Sequence, residues 1–510
     1  MRSPTKSPGE KSSYKGSVAP TWTTFAANLT RLLSEKLLAW GVEERGIRPV
    51  AVEDRTETYF IKIFFVWLSA NMNILSFASG TLGPVTFGLG LRDSCLVILF
   101  FNLFCAVPPA YLTTWGPKLG FRQLCASRYT FGYYGAMVPG LLSLASGAGF
   151  TILNNIVGGQ ALASIANMSW TVGIVIISVI SLFVSFCGLR VLNWFENCVW
   201  VPCLIVFVVA TGVGGKHFVD TPTAPATAAQ IFSFGATIAG NMITWGGISS
   251  DYTVYFHPRV SSWRLFVYSY LGLNISTITL QCLGAAVAIS APSVPAWEAG
   301  YTDGNVGGLL NAMLSPVGGF RKVLMVLLSL SVTAANAPNI YSMCMVFQTL
   351  IPSLVAVPRY VLSVFAVAVI IVLSIVGQHK FYATLSDFLG IIGYWAGAWV
   401  SAICVEHLYF RKGNFALYDT RSWNVSSRLP LGAAALGASA LSFTLVIPSM
   451  NQVWYTGPIA HKTGDIGFEV AMAVTALLYI PLRHLEKVLE RRLKEPLDLR
   501  RVESNQIILG

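Results

Sequence analysis

From Phe60 almost to the C-terminus, apolar stretches of about 20 residues follow one another with short polar connections. At 1.5 Å per residue each is long enough to cross roughly 30 Å of hydrocarbon. Twelve can be counted, with approximate limits 59–88, 94–115, 133–162, 170–189, 194–214, 229–255, 264–290, 322–351, 360–378, 382–408, 430–449 and 464–482. Lipid offers no partner to a bare backbone N–H or C=O, and strongly apolar spans of this length meet that constraint as helices. The sequence therefore predicts an all-α integral membrane protein of about 12 transmembrane helices. Only 11% of the 510 residues are charged, against about a quarter in soluble domains, which excludes a soluble globular chain.

The formal net charge of +11 would suggest nucleic acid if the bases lay on one solvated face. They lie instead in tails and short loops. The loops on the termini's side hold eleven: Lys118, Arg122, Arg128, Arg190, Arg259, Arg264, Arg359, Arg411, Lys412, Arg421 and Arg428. The opposite loops hold six: Arg92, Lys216, Arg321, Lys322, Lys380 and Lys462. Basic residues accumulate in cytoplasmic loops, so both termini are expected in the cytoplasm and no nucleic-acid partner is needed. Nine Cys are scattered singly, without a disulfide framework or zinc spacing. There is no GxSxG, HExxH or P-loop pattern, so neither an enzyme nor a bound cofactor or metal is expected. The first sixty residues carry no secretory signal pattern.

Spans 1 and 6 depart from simple membrane helices. Span 1 runs into Ser79-Gly80-Thr81-Leu82-Gly83-Pro84, and span 6 contains Gly240-Asn241-Met242-Ile243-Thr244-Trp245-Gly246-Gly247. Both read as broken helices. They are the first members of two consecutive five-span sets, and paired interruptions at corresponding places point to an inverted-repeat transporter with its site at mid-membrane. The expected organisation is an N-terminal tail (1–58), a first five-helix repeat (59–214), a second repeat (229–408), two additional helices (430–482) and a C-terminal tail (483–510).

Polar side chains inside hydrocarbon ask for a partner or a water-lined cavity. In span 3, Phe150 and Asn154 share a helical face at i, i+4 spacing. A flat ring beside a carboxamide suits a nucleobase, stacking its face and reading its edge; an amide bonding a neighbouring helix is the alternative. Trp245 lies within the span 6 interruption beside glycines, and Asn336 and Asn339 flank Pro338 in span 8. Candidate intramembrane carboxyls are Glu196, Asp251, Asp387, Glu406 and Glu469, any of which could exchange a proton when buried. For Glu196 and Asp251 the alternative is a helix-end charge paired with Arg190 or Arg259.

With these residues in view, the chain resembles the fungal purine-cytosine permeases of the nucleobase:cation symporter-1 family from about residue 44 to 411. The resemblance is carried by Glu44-Arg45-Gly46-Ile47, by Asn71 through Gly83, and by Gly116-Pro117-Lys118-Leu119-Gly120-Phe121-Arg122-Gln123 running on to Ser127-Arg128-Tyr129. Phe195-Glu196, Trp245 followed by Asp251-Tyr252-Thr253, and Pro338-Asn339-Ile340-Tyr341-Ser342 extend it. It implies two inverted five-helix repeats plus two extra helices, and proton-coupled uptake of cytosine and of purines such as adenine, guanine and hypoxanthine. It further implies Ser76, Asn154, Trp245 and Asn339 as substrate-binding residues and Glu196 as the functional glutamate. Three positions depart from the family pattern: Phe150 replaces a tryptophan, Ala335 the first of two adjacent asparagines, and Thr244 a frequent glycine.

The expected function is thus a plasma-membrane proton symporter for a neutral nucleobase, working by alternating access. Ser76, Phe150, Asn154, Trp245 and Asn339 are expected to bind substrate, and Glu196 with Asp251 to couple the proton. The alternatives are a related heterocycle such as vitamin B6, sodium in place of the proton, or a membrane nutrient sensor that binds without transporting.

Overall fold

The computed structural model describes residues 47–508 except 167, 187, 221, 222, 352, 353, 355, 356 and 358; of 188–197 and 493–508 it describes the backbone alone. Glu44, Arg45 and Gly46, and the side chain of Glu196, therefore lie outside the described residues.

Among the described residues the helices group into twelve spans. Span 1 is the pair Ile61–Asn71 and Ile74–Val85, and span 2 runs Leu91–Leu119 in three segments. Spans 3, 4 and 5 are Met137–Ala166, Trp170–Phe186 and Gly188–Gly214. Span 6 is Ala228–Ile243 continued by Thr244–Tyr252, span 7 is Ser262–Ser290, and span 8 is Arg321–Ser331 with Thr333–Leu350. Spans 9 to 12 are Arg359–Gly377, Phe381–Val405, Ala433–Ser449 and Gly467–Ile508.

The packing repeats. Span 1 lies on spans 5 and 7 as span 6 lies on spans 10 and 2; span 4 lies on span 8 as span 9 lies on span 3. Exchanging each of spans 1–5 with its counterpart five places away in spans 6–10 reproduces these neighbours, which is the contact pattern of two five-helix repeats. Small residues permit the closest approaches. A Cβ built on Gly80 would stand 1.9 Å from the backbone oxygen of Gln281 in span 7, and one on Gly240 would stand 1.8 Å from that of Leu389 in span 10. The fully buried Gln281 amide ties three spans together, donating to Ser79 Oγ (3.1 Å) and accepting from Asn102 Nδ2 (2.7 Å).

The interruption of span 1 is not in the glycine-proline run, which is helical. It falls two turns earlier, at Met72–Asn73, where the axis bends by 57°. Asn73 is the reason. Its backbone is extended (φ −144°, ψ 168°), its Oδ1 accepts from Ser76 N–H (3.0 Å) and its Nδ2 donates to the Ala70 carbonyl (2.7 Å). An asparagine cap thus ends one half and starts the next. The glycines at 80 and 83 serve close packing instead. In span 6 the interruption falls within the expected stretch as a change of helix type: the α-helix ends at Ile243, and nine residues of tighter 3₁₀-helix follow. A 3₁₀ run of that length is uncommon and marks a hinge or functional segment.

Both ends of the described chain lie on one face of the bundle. Arg55 donates to the carbonyls of Pro117 (3.0 Å) and Leu119 (3.2 Å) at the end of span 2, and Glu57 pairs with the backbone of Tyr255 and His257 after span 6. Near the C-terminus, Glu486 and Glu490 accept from the backbone N–H groups of Ala433 and Leu431, before span 11. Span 12 is held to span 10 by buried charge: Glu406 meets Arg483 (3.3 Å), Arg411 (3.1 Å) and the Tyr479 hydroxyl (2.9 Å). Removing one partner from such a cluster leaves an uncompensated charge.

Because a Gly80 side chain meets rigid backbone, Gly80→Ala is expected to destabilise the protein by at least about 1–3 kcal/mol through overpacking. Thermal unfolding of the detergent-purified protein checks this; Gly319→Ala, whose Cβ would have nothing within 4 Å, should leave the midpoint unchanged.

Candidate functional site

Span 3 presents Ser143, Ser146, Gly147 and Phe150 at i, i+3, i+4, i+7, one stripe of a helix. The stripe faces span 6 at the α-to-3₁₀ junction (Thr244, Trp245, Ile248), Asn339 of span 8 and Trp395 of span 10. These nine residues line one cavity. The space open to the centre of a water molecule is about 30 Å³, room for about two waters.

Two of the aromatic walls are held from outside the cavity and the third from within its lining. The Trp245 indole N–H donates to Asn71 Oδ1 (3.2 Å), and Asn71 is fixed by donating to the Trp67 carbonyl (3.1 Å), so the end of the first half of span 1 sets the ring's orientation. Trp67 packs edge-on to Trp245, with centroids 5.4 Å apart at 73°. Phe150 packs edge-on to Phe388 of span 10 (5.3 Å, 85°). Trp395 donates its indole N–H to Ser146 Oγ (3.1 Å).

Of the residues expected from sequence, Phe150, Trp245 and Asn339 line the cavity together. Asn154 is one turn further along the span 3 stripe, outside the cavity wall; it is buried, and its Oδ1 has no hydrogen-bond partner among the described residues. Ser76 lies in the first turn of the second half of span 1, just past the bend, and is also outside the wall. Asp251 is not at the cavity either. Its Oδ1 accepts from the Gln123 backbone N–H (2.8 Å), and its carbonyl accepts from Arg122 Nη1 (3.0 Å). Sequence reasoning missed Ser143, Ser146, Gly147, Ile248 and Trp395. The signal for Trp395 was its depth: it is the fifteenth of 25 residues in span 10, too deep for an interfacial belt.

The spans are cross-linked on both sides of the cavity. Toward the terminal face, Arg122 donates to the Tyr341 hydroxyl (2.7 Å), and the Arg359 guanidinium lies 4.5 Å from the Tyr341 ring centroid. This joins the helix after span 2 to spans 6, 8 and 9. Toward the opposite face, the Tyr382 hydroxyl of span 10 meets Thr81 Oγ1 of span 1 (3.0 Å) and the Tyr301 hydroxyl of the span 7–8 connection. Between these layers a further polar cluster joins spans 3, 4 and 8: Asn336 Nδ2 donates to Asn155 Oδ1 (2.9 Å) and Ser181 Oγ (3.4 Å). Among the described residues, Glu469 of span 12 is the carboxyl whose two oxygens are both buried without a hydrogen-bond partner. No group of His, Cys, Asp and Glu among the described residues could hold a metal ion.

A cavity bounded by two interrupted repeats and cross-linked on both faces defines a multi-pass membrane transporter. The sequence comparisons agree. The chain belongs to the family described as "Permease for cytosine/purines, uracil, thiamine, allantoin", which it matches over residues 49–470. It is 33% identical to the purine-cytosine permease FcyB of Emericella nidulans, over 94% of this chain and 93% of that one. It is 28% identical to a vitamin B6 transporter of Saccharomyces cerevisiae over 92% of each. Its fold is similar to that of Mhp1, a nucleobase-cation-symport-1 family transporter in a closed conformation with bromovinylhydantoin bound (TM-score 0.65, 15% identity, 86% of this chain and 95% of that one). These relatives are permeases and transporters, not enzymes.

Asn71→Ala removes the acceptor that orients Trp245, a hydrogen bond worth about 0.5–1.5 kcal/mol. The apparent KM of the transported substrate should rise about 2- to 12-fold at unchanged surface level, as measured by uptake.

Proposed function

We propose that this protein is a secondary active transporter that takes up nucleobases, cytosine and purines such as adenine, guanine and hypoxanthine, together with protons. The carrying observation is the cavity itself. Two aromatic faces from different repeats, Phe150 and Trp245, stand with the Asn339 amide around one mid-membrane space. A heterocycle stacks on such rings, and a carboxamide both donates to and accepts from its edge. Asn154, whose buried oxygen lacks a partner among the described residues, gains a donor when a substrate amine or ring N–H approaches from the cavity one turn away. Ser76 contributes from the second half of span 1.

In this reading the two cross-linked layers open alternately: the Arg122–Tyr341 side toward the cytoplasm, the Tyr382–Thr81 side toward the exterior. Glu196 in span 5 carries the coupling proton, on the strength of the family resemblance around Phe195-Glu196. Asp251, hydrogen-bonded to Gln123, acts with Arg122 in the cytoplasmic closure and couples protonation to it. The basic residues of the terminal face support a cytoplasmic location for both termini in a protein of the plasma membrane. Vitamin B6 is the second reading, favoured by the 28% identical relative and by the smaller ring at Phe150.

The test is uptake of radiolabelled cytosine, adenine and hypoxanthine in yeast lacking its own nucleobase carriers, with and without protonophore and at two sodium concentrations. Protonophore-sensitive, sodium-independent uptake is expected. Asn339→Ala should lower kcat/KM by about 5- to 160-fold, as loss of a buried polar partner costs about 1–3 kcal/mol. Glu196→Gln should remove the pH dependence. A surface-localised protein that moves pyridoxine but none of the three bases overturns the nucleobase reading.

A further inference from the structure

The cavity at Phe150 and Trp245 is small, and one of its walls is thin. A space of about 30 Å³ for water centres is far below the ≈ 300–1,000 Å³ of ligand pockets in general. On the far side of Trp395 lies a second void of about 350 Å³, more than ten times larger. It sits between spans 3, 10 and 11, walled by Val138, Leu142, Leu436, Ala440 and Phe443 among others, and is almost wholly apolar. Trp395 borders both spaces.

The indole is 7% exposed and is latched toward span 3 by its N–H bond to Ser146 Oγ. Ser146 spends its own hydroxyl proton on the Leu142 carbonyl (2.9 Å), so its oxygen remains an acceptor for the indole. Ser146 is also one turn from Phe150, so the latch holds Trp395 at the level of the stacking ring. Behind the indole, Val138 and Leu142 are partly open to the surroundings of the bundle, 49% and 38% exposed. At membrane depth those surroundings are fluid hydrocarbon, which yields to a moving ring more readily than packed protein does.

We propose that Trp395 is the residue that sets which ring sizes the site admits, acting as a movable wall that swings from its Ser146 latch into the apolar void when a bicyclic or N-substituted base enters. The inference rests on the nucleobase reading of this cavity. A latched indole leaves a slot suited to a single ring; a released one adds lateral room at substrate level. That room is independent of the two cross-linked layers, which control access along the membrane normal. Asn339, Phe150 and Trp245 fix the base's edge and faces, and Trp395 limits its width.

The experiment measures inhibition of cytosine uptake by adenine and by N6-benzyladenine for wild type, Trp395→Ala, Trp395→Phe, Ser146→Ala and Asn339→Ala at matched surface levels. Trp395→Ala joins the two voids. The inhibition constant for N6-benzyladenine relative to the KM for cytosine should fall at least tenfold, with cytosine itself binding more weakly. Ser146→Ala breaks the latch and leaves the indole in place, and Trp395→Phe breaks it while leaving a smaller ring; both should shift the same ratio in the same direction, about 2- to 10-fold. They also carry the test if Trp395→Ala does not reach the surface. Ratios within twofold of wild type in the latch variants, with Asn339→Ala still lowering cytosine uptake, overturn the proposal and leave the site standing. If wild type carries no base, or Asn339→Ala is as inert as the Trp395 variants, the site reading falls with it.

Discussion

Everything at the centre of this protein depends on the requirement that a helix interrupted inside hydrocarbon must find partners for the backbone groups it frees. Span 1 meets that requirement with side chains. Asn73 takes the Ser76 N–H and returns a donor to the Ala70 carbonyl, and the Ile74 N–H is accepted by Ser331 Oγ of span 8 (3.2 Å). Asn71, the last residue of the first half, binds the Trp67 carbonyl with its nitrogen and the Trp245 indole with its oxygen. The same residues that make the interruption tolerable thus orient the aromatic face of the site. Moving the bend by a turn would leave Trp245 without its acceptor.

The two repeats contribute unequally to that arrangement. Span 1 ends one helix and begins another at a 57° bend, whereas span 6 tightens from α-helix to 3₁₀-helix. A 3₁₀-helix places successive side chains at 120° rather than 100° and rises about 2.0 Å per residue. Thr244, Trp245 and Ile248 reach the cavity from this segment, while Gly240, one turn earlier, lies against the Leu389 carbonyl. The glycines of both spans are packing residues first. They allow the interrupted helices to lie so close to spans 7 and 10 that the cavity stays narrow.

Much of this was legible in the chain. The twelve spans follow from hydropathy; Asn339 stood out as an amide inside hydrocarbon, Phe150 by sharing a helical face with the Asn154 amide, and Trp245 by lying in the span 6 interruption. The position of the span 1 bend was not, because glycine and proline are tolerated inside membrane helices and the Asn73 cap looks like any other asparagine until its partners are known. Trp395 was passed over for a similar reason. A tryptophan in an apolar run reads as packing or belt, and only the meeting of spans 3 and 10 puts it between two voids. Asp251 shows the converse: intramembrane charge marked it, and the fold gives it Gln123 and Arg122 at a closure away from the cavity.

What the sequence determined by itself is what each residue's own transfer energy and its near neighbours determine: the number of spans, their lengths, the asymmetry of basic loops and the presence of amides inside them. Those are sums over a window of about 20 residues. What only the tertiary structure decided is which of those groups meet. Ser331 and Ile74 are 257 residues apart, Trp395 and Ser146 are 249, and Trp245 and Asn71 are 174. Hydrogen bonds at that separation exist only once two repeats have packed against each other, so the bend, the cavity and its movable wall belong to the fold.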